Sequence, residues 1–369
     1  MTPFVPQSLP LSEIKWEALI SHLASANRAL AYYDGILQAV INPELLLSTM
    51  ATQEAVFSSS IEGSLATLGE VLKSKPGEPL PMPEREEDIL AILNYRRALE
   101  AAEAEIEKKP FTLDLLKRLH AILLDGLPGR NVSRGNFRTI QNWIGPRGTI
   151  EKAKFTPPSP EGLIAYLENW EEYYHMERPD AIVQLAVVHA QFTIIHPFHD
   201  GNGRIGRMLI PLFLFEKKIL SRPRFYLSAY FALHREAYIS KLRMIGKTAD
   251  AWNDWITFFL IAVQEQARIN AEKARDVISL HNSLKARVLD LTHSPFALPM
   301  LDLMFETPVF TPPDFKDLPQ MPTYPMINSL LRKFKDAGIL HVVRPGSGRR
   351  AQVLVLRELI NLCEGREII

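Results

Sequence analysis

His196-Pro197-Phe198-His199-Asp200-Gly201-Asn202-Gly203-Arg204-Ile205-Gly206-Arg207 is the stretch on which the reading of this chain turns. It lies between two apolar helical runs, Ala181–Ile195 and Met208–Phe215. A Gly-Asn-Gly turn that opens a helix aims backbone N–H groups at an anion, and the helix dipole adds to the attraction. Gly201, Asn202 and Gly203 supply that turn, and Ile205 and Gly206 continue it into the helix. Arg204 and Arg207 are three residues apart, so both fall in the first helical turns, where guanidinium groups can grip phosphate oxygens bidentately. Asp200 places a carboxylate beside the turn, where it can hold Mg²⁺ against phosphates. His196, at the mouth of the loop, has the chemistry of a general base. A glycine-rich turn packed between core helices would explain a bare GNGR, but not this whole combination. A zinc site from His189, His196 and His199 fits poorly, because the spacings do not match a paired-histidine helix and no further ligand is evident.

Outward from this stretch, composition bounds the rest. A length of 369 residues suggests two or three domains. The hydrophobic fraction of 47% and charged fraction of 23% are those of a globular protein and exclude a disordered or fibrous chain. Lys+Arg and Asp+Glu both number 42, which argues against coating nucleic acid through bulk charge. The single cysteine, Cys363, rules out an intrachain disulfide and a thiolate metal cage. The apolar run Met208–Phe215 is far short of the roughly 18 residues that span a bilayer, and it contains Pro211. The opening MTPFVPQSLP has no basic region followed by an apolar core. The expectation is a soluble, cytoplasmic protein with no membrane partner.

Helical periodicity predicts helices over Ser12–Ala39, from Asn42-Pro43-Glu44 to Ile61, and over Glu86–Lys108 and Thr112–Leu124. Lys75–Pro83 is a proline-rich loop. Between Asp125 and Pro160 glycine and proline break the period, and Arg138–Ile144 and Thr149–Phe155 can pair as a hairpin across Gly145-Pro146-Arg147-Gly148. Helices return over Glu161–Tyr174, Asp180–Ile195, Arg204–Lys218, His234–Ile245 and Ala251–Leu284. The character changes near Ser283. There a helix over Tyr324–Ala337 precedes two strands, Ile339–Val343 and Ala351–Leu356, in the outline of a winged helix. The aromatic pairs and clusters Tyr173-Tyr174 and Trp252 to Phe259 read as packing, and no internal repeat is present.

At every specified position His196–Arg207 matches the Fic motif HPFx[D/E]GNGRxxR, and the chain resembles that family. The likeness of the core covers roughly Glu86 to Leu260 and includes Gln141-Asn142-Trp143-Ile144-Gly145. It extends to the flanking regions of the longer bacterial members. The resemblance implies a mainly α fold: a Fic helical bundle with a small β-hairpin flap, plus a C-terminal winged-helix-like domain. The expected division is 1–85, an N-terminal helical region; 86–282, the core; and 283–369, the tail. The implied activity is AMP transfer from ATP to a Ser, Thr or Tyr hydroxyl of a protein, the chain itself included, with His196 as base. Asp200 would bind Mg²⁺, the amides of Gly201, Asn202 and Gly203 would form the anion hole, Arg204 would contact phosphates, and Arg207 would hold the γ-phosphate. The related Doc group, which transfers phosphate, replaces the glycine-rich centre, whereas Gly201 and Gly203 are both present here. Residues 149–155 would form the flap along which a target segment docks as an added strand. Trp143, Ile144, Gly145 and Tyr238 would lie near the adenosine.

Upstream, Ser58-Ser59-Ser60-Ile61-Glu62-Gly63 matches the family's inhibitory pattern [S/T]xxxE[G/N]. Ser58 and Glu62 share a helix face, and Gly63 suits the helix end. An acid there opposes the helix dipole, which hints at another partner for Glu62. The resemblance implies an ion pair with Arg207 in the place of the γ-phosphate. Two other functions stay open. One is removal of AMP from a protein by the same residues. The other is DNA binding through Arg344, Arg349 and Arg350 in the tail, although residues 280–369 hold eleven Lys/Arg against nine Asp/Glu, a weak charge for that role. A homodimer also stays open.

Overall fold

Leu19, Ala26, Leu30, Tyr33 and Leu37 recur at helical spacing and form the buried face of α1 (Trp16–Ala39), which packs along the long helix α11 (Ala251–Thr292). The structure is a computed structural model and describes residues 2–39, 46–74, 85–128, 133–145, 153–316, 318–348, 350–365 and 367. The helix start expected at Asn42-Pro43-Glu44, residues 149–152 of the expected flap, and Arg349 lie outside the described residues.

Two helices form the centre. In α7 (Ala181–Ile195) almost every residue is buried, as its lack of a polar face predicts. The other, α8 (Asn202–Glu216), is nearly as enclosed. Asp180 caps α7, its carboxylate accepting from the N–H groups of Ile182 and Val183 at 2.8 and 2.9 Å. Around this pair stand α4 (Glu86–Ile106), α5 (Leu113–Leu123) and α6 (Leu163–His175). Indole N–H groups of Trp170 on α6 and Trp255 on α11 each donate at 2.8 Å to carbonyls of α7. On the other side, α2 (Ser48–Ile61) packs against α4, α8 and the short α9 (Ser228–Leu233), while α3 (Leu68–Lys73) follows it. Helix α10 (Arg235–Met244) leads into α11.

Some elements differ from the sequence reading. Helix α8 begins at Asn202 rather than Arg204, because Gly201 itself is the N-cap. Residues 138–143 do not form a strand, and among the described residues of the expected hairpin only Ile144 and Phe155 pair. The physical reason lies opposite them. Pro157 and Pro158 have no N–H to donate, and the side chain of Gln141 instead reaches the Pro157 carbonyl at 3.0 Å. Helix α11 runs through position 282/283, where the composition changes. It packs on α12 (Ala297–Glu306), α13 (Tyr324–Asp336) and α14 (Arg357–Glu364) from both sides of that position, with Lys273 and His281 before it meeting Cys363 and Asp302, and Arg287 after it meeting Ala337.

In the tail, β2 (His341–Arg344) and β3 (Val353–Val355) form the expected antiparallel hairpin, with Val342 opposite Leu354. An unexpected strand, β1 (Val309–Phe310), pairs with the other edge of β3, giving the order β1-β3-β2. Among the described residues, no helix is long and apolar enough to cross a membrane.

Candidate active site

Helix α7 ends on His196, whose backbone is left-handed at φ 51° and ψ 59°. Five residues on, Gly201 is also left-handed at φ 77°, and a Cβ there would press on Leu123 at 3.1 Å. Only glycine suits that combination. Asn202 closes the intervening loop: its Oδ1 accepts from the Phe198 N–H at 2.9 Å, and its Nδ2 donates to the Phe198 carbonyl at 2.8 Å. The loop is therefore a bracket between the end of α7 and the start of α8. The N–H groups of Asn202 and Gly203 fall where a helix start has no intrahelical acceptors, which is what an anion site requires.

Arg207, one turn into α8, is 1% exposed. Its Nε donates to Ser58 Oγ at 3.0 Å, and its Nη2 donates to the Ser58 carbonyl at 2.7 Å and to Glu62 Oε1 at 2.8 Å. Glu62 directly follows α2, with its side chain about half exposed (48%). Its carboxylate lies so close over Gly203 that a Cβ on that residue would overlap Oε1. Burial opposes ionisation of Glu62, but Arg207, joined by Arg204 and His196, holds its pKa below the ordinary carboxylate value. Burial likewise opposes the charge on Arg207, and Glu62, Tyr238 and Tyr95 together outweigh it. Gly63, at φ 104°, closes the helix: its N–H reaches the Ser60 carbonyl at 3.0 Å, and the Ser64 N–H reaches Ser59 at 3.2 Å. Arg235 Nε also donates to the Ile61 carbonyl at 2.9 Å.

Burial lowers the His196 pKa to about 4, with the Thr193 carbonyl and Glu62 opposing and Arg138 assisting. The imidazole is neutral at neutral pH. Nδ1 lies 3.4 Å from the Thr193 carbonyl, which assigns the proton to Nδ1 and leaves Nε2 as the basic nitrogen.

Two residues that the sequence reading missed, Arg138 and His120, build this frame with His189, which it weighed only as a zinc ligand. Arg138 bonds to carbonyls at the end of α7. His120, on α5, stacks on Phe198 at 3.7 Å. Its Nδ1 accepts from the Gly135 N–H, and its Nε2 donates to the Asp200 carbonyl, both at 3.0 Å. His189 bridges α7 and α8, with Nδ1 2.9 Å from the Gly206 carbonyl and Nε2 3.0 Å from the Tyr238 hydroxyl. Nothing in the local sequence marks Arg138 or His120, because their partners lie 15 to 80 positions away.

A cleft of about 760 Å³ opens over this arrangement. His196, Gly203, Arg207 and Glu62 share its lining with Ile144, Gly145 and Tyr238. Lys154 and Phe155 also line it, as do Arg243 and Lys247. Trp143 is not on the lining and is 38% exposed. Asp200 lies outside the lining too, with Oδ2 3.5 Å from Arg204 Nη2 and the side chain partly exposed. Its hard oxygen donors, next to the helix start, suit Mg²⁺. Among the described residues there is no cluster of three or more His, Cys, Asp or Glu side chains that would make an all-protein metal cage.

Comparison with known proteins gives the chain a family and a fold. The Fic/DOC family matches residues 110–214, and the Fic/DOC family N-terminal region matches residues 20–104. The two adjoining matches take in just over half of the chain, which belongs to the Fic/DOC family. Protein adenylyltransferase fic-1 of Caenorhabditis elegans is 27% identical over 161 residues, 42% of this chain and 30% of the worm protein. A probable protein adenylyltransferase of Aquifex aeolicus (strain VF5) is 37% identical over 94 residues, 25% of this chain and 26% of that protein. The matches thus span about a third or less of these relatives' own lengths. Among solved structures, a Fic family protein from Desulfovibrio desulfuricans G20 has a TM-score of 0.61 at 18% identity, covering 95% of this chain and 98% of that one. C. elegans Fic-1 gives 0.53 at 18% identity, covering 71% and 73%. The fold is that of the family, mainly helical with one small sheet.

Proposed function

We propose that this chain is a protein adenylyltransferase that uses ATP and is held in check by Glu62. The observation that carries the reading is the Glu62–Arg207 pair at 2.8 Å, set over Gly203 at the start of α8. An anion already sits where a terminal phosphate would need Arg207 and the helix start. Two anions compete for one guanidinium, so withdrawal of Glu62 frees Arg207 for the γ-phosphate.

With Glu62 displaced, the N–H groups of Asn202 and Gly203 and the guanidinium groups of Arg204 and Arg207 hold the triphosphate. Ile144, Gly145 and Tyr238 offer the adenosine a mostly apolar wall. Asp200 would hold Mg²⁺, which offsets phosphate charge when bound. A Ser, Thr or Tyr hydroxyl from a target segment beside Lys154 and Phe155 loses its proton to His196 Nε2 as its oxygen bonds to the α-phosphorus. The bond from that phosphorus to the bridging oxygen breaks, and pyrophosphate leaves. Catalysis is then mainly positioning and charge stabilisation. Removal of AMP from a modified protein is a second reading, favoured by the presence of Glu62 in the same cleft as His196, where it can orient a water.

Incubation with ATP labelled at the α-phosphate tests the proposal. Glu62→Gly should raise protein-bound label by roughly 100-fold, because a cost of a few kcal/mol is lifted. His196→Ala in the same background should abolish it. No label in Glu62→Gly, despite measurable ATP binding, rejects AMP transfer. Loss of label from a pre-modified target would instead support removal.

A further inference from the structure

The left-handed backbone of His196 needs an explanation, since a residue with a Cβ avoids that region. Arg138 supplies one. It is 2% exposed and enters from the segment before the hairpin, 58 positions upstream of His196. Its Nε donates to the His196 carbonyl at 3.0 Å, and its Nη2 donates to the Ile195 carbonyl at 3.4 Å and to that of Pro158. Its backbone N–H donates to the Pro197 carbonyl at 2.9 Å. Residue 138 thus holds three consecutive carbonyls, 195 to 197. These carbonyls lie at or just beyond the end of α7, where the helix has no further N–H to offer them. A cation there also matches the negative end of the helix dipole.

We propose that Arg138 is the positioning residue of His196, fixing the turn that aims its imidazole into the cleft. This rests on the reading of His196 as the base. Arg138 touches only the backbone of His196, so it acts through that residue and not on substrate. Its charge also favours the neutral ring, in the same direction as burial. The other charged or titratable groups that line the cleft with the imidazole are Glu62 after α2, Arg207 on α8, Lys154 beside Phe155, Arg235, Glu236, Tyr238 and Arg243 on α10, and Lys247 just after it. Of these, Glu62 favours the protonated ring.

Two variants separate geometry from charge. Arg138→Met keeps the stem and loses both. Arg138→Lys keeps the charge but loses the rigid planar fork of donors that meets the Ile195, His196 and Pro158 carbonyls together. In the Glu62→Gly background, Arg138→Met should lower the turnover of label transfer about 100-fold, with the KM for ATP little changed. Arg138→Lys should lose roughly 10-fold. The His196 imidazole is then titrated by NMR without nucleotide, in chains with Glu62 intact, with His196→Ala to assign the resonance. Arg138→Met should move its midpoint upward, and Arg138→Lys should leave it in place.

A reduced rate in Arg138→Met with an unmoved midpoint would indicate a merely structural role and overturn the proposal. So would an unchanged rate in Arg138→Lys, which also carries the test if Arg138→Met does not fold. Absence of labelling in Glu62→Gly itself counts against the proposed function, and the imidazole titration then decides on Arg138 independently.

Discussion

Glu54 lies on α2, four residues before Ser58, and is only 3% exposed. Its carboxylate accepts the N–H of Ser228 at 3.0 Å and the Ser228 hydroxyl, which ties α2 to the start of α9. Burial pushes its pKa up to about 7, against the pull of Ser228 and Arg207. The folded chain therefore binds this proton more tightly than the unfolded chain does. The stability it contributes is fully present below the ordinary glutamate value and is lost as pH rises through about 7. The size is roughly 3 kcal/mol across that window. His120 and His189 act in the opposite sense: burial depresses both to about 3, so their contribution is present above the ordinary histidine value and is lost as pH falls. Comparing Glu54→Gln with the parent isolates the glutamate. In urea unfolding at a series of pH values, the variant should lack the decline between about pH 5 and 7. Parallel curves for the two proteins would contradict this.

At the scale of the element, α2 is unusual for a helix rich in Ser, Thr, Gln and Glu, because nearly all of it is buried. Several of its polar groups find a fixed partner, as burial demands, while among the described residues Thr49 Oγ1 and Ser59 Oγ have none. Ser48 Oγ donates to the Glu306 carbonyl at 3.0 Å, Gln53 donates to the Cys363 carbonyl at 2.7 Å, and Ser58 accepts from Arg207. The last turn depends on Gly63, whose φ of 104° excludes a β-branched residue. Gly63→Val should cost about 1–2 kcal/mol and loosen the turn that presents Glu62. Its melting temperature should fall while label transfer rises severalfold. Unchanged melting and labelling would mean that the turn does not constrain Glu62.

Across the whole molecule, Lys273 joins three distant parts of the chain. From α11 its Nζ donates to Gln53 Oε1 on α2 at 2.9 Å and to the Cys363 carbonyl on α14 at 2.6 Å. The tail thereby grips the helix that carries Ser58 and leads into Glu62. Lys273→Met leaves Gln53 Oε1 without this donor and should lower unfolding free energy by about 1–3 kcal/mol. A denaturant midpoint equal to that of the parent would refute the estimate. Much of this architecture was legible in advance where the determinants are local. The twelve-residue stretch carries its own turn glycines, loop-closing Asn202 and arginine spacing, so its turn and its place between two helices followed from neighbouring residues. The apolar runs of α7 and α8 announced the central pair in the same way. Other features depend on what lies opposite. Pro157 and Pro158 prevent residues 138–143 from pairing, β1 is a strand only because β3 passes beside it, and α11 continues past 283 because the tail helices cover it. Arg138, His120 and Glu54 look like ordinary helix or loop residues until the chain folds back on them. Sequence alone determined the motif, its helices and the chemistry its side chains can perform, because those follow from residues a few positions apart. Tertiary structure alone decided how His196 is held and where Glu62 meets Arg207 in space, because buried carbonyls and charges must be satisfied by groups that only folding brings near.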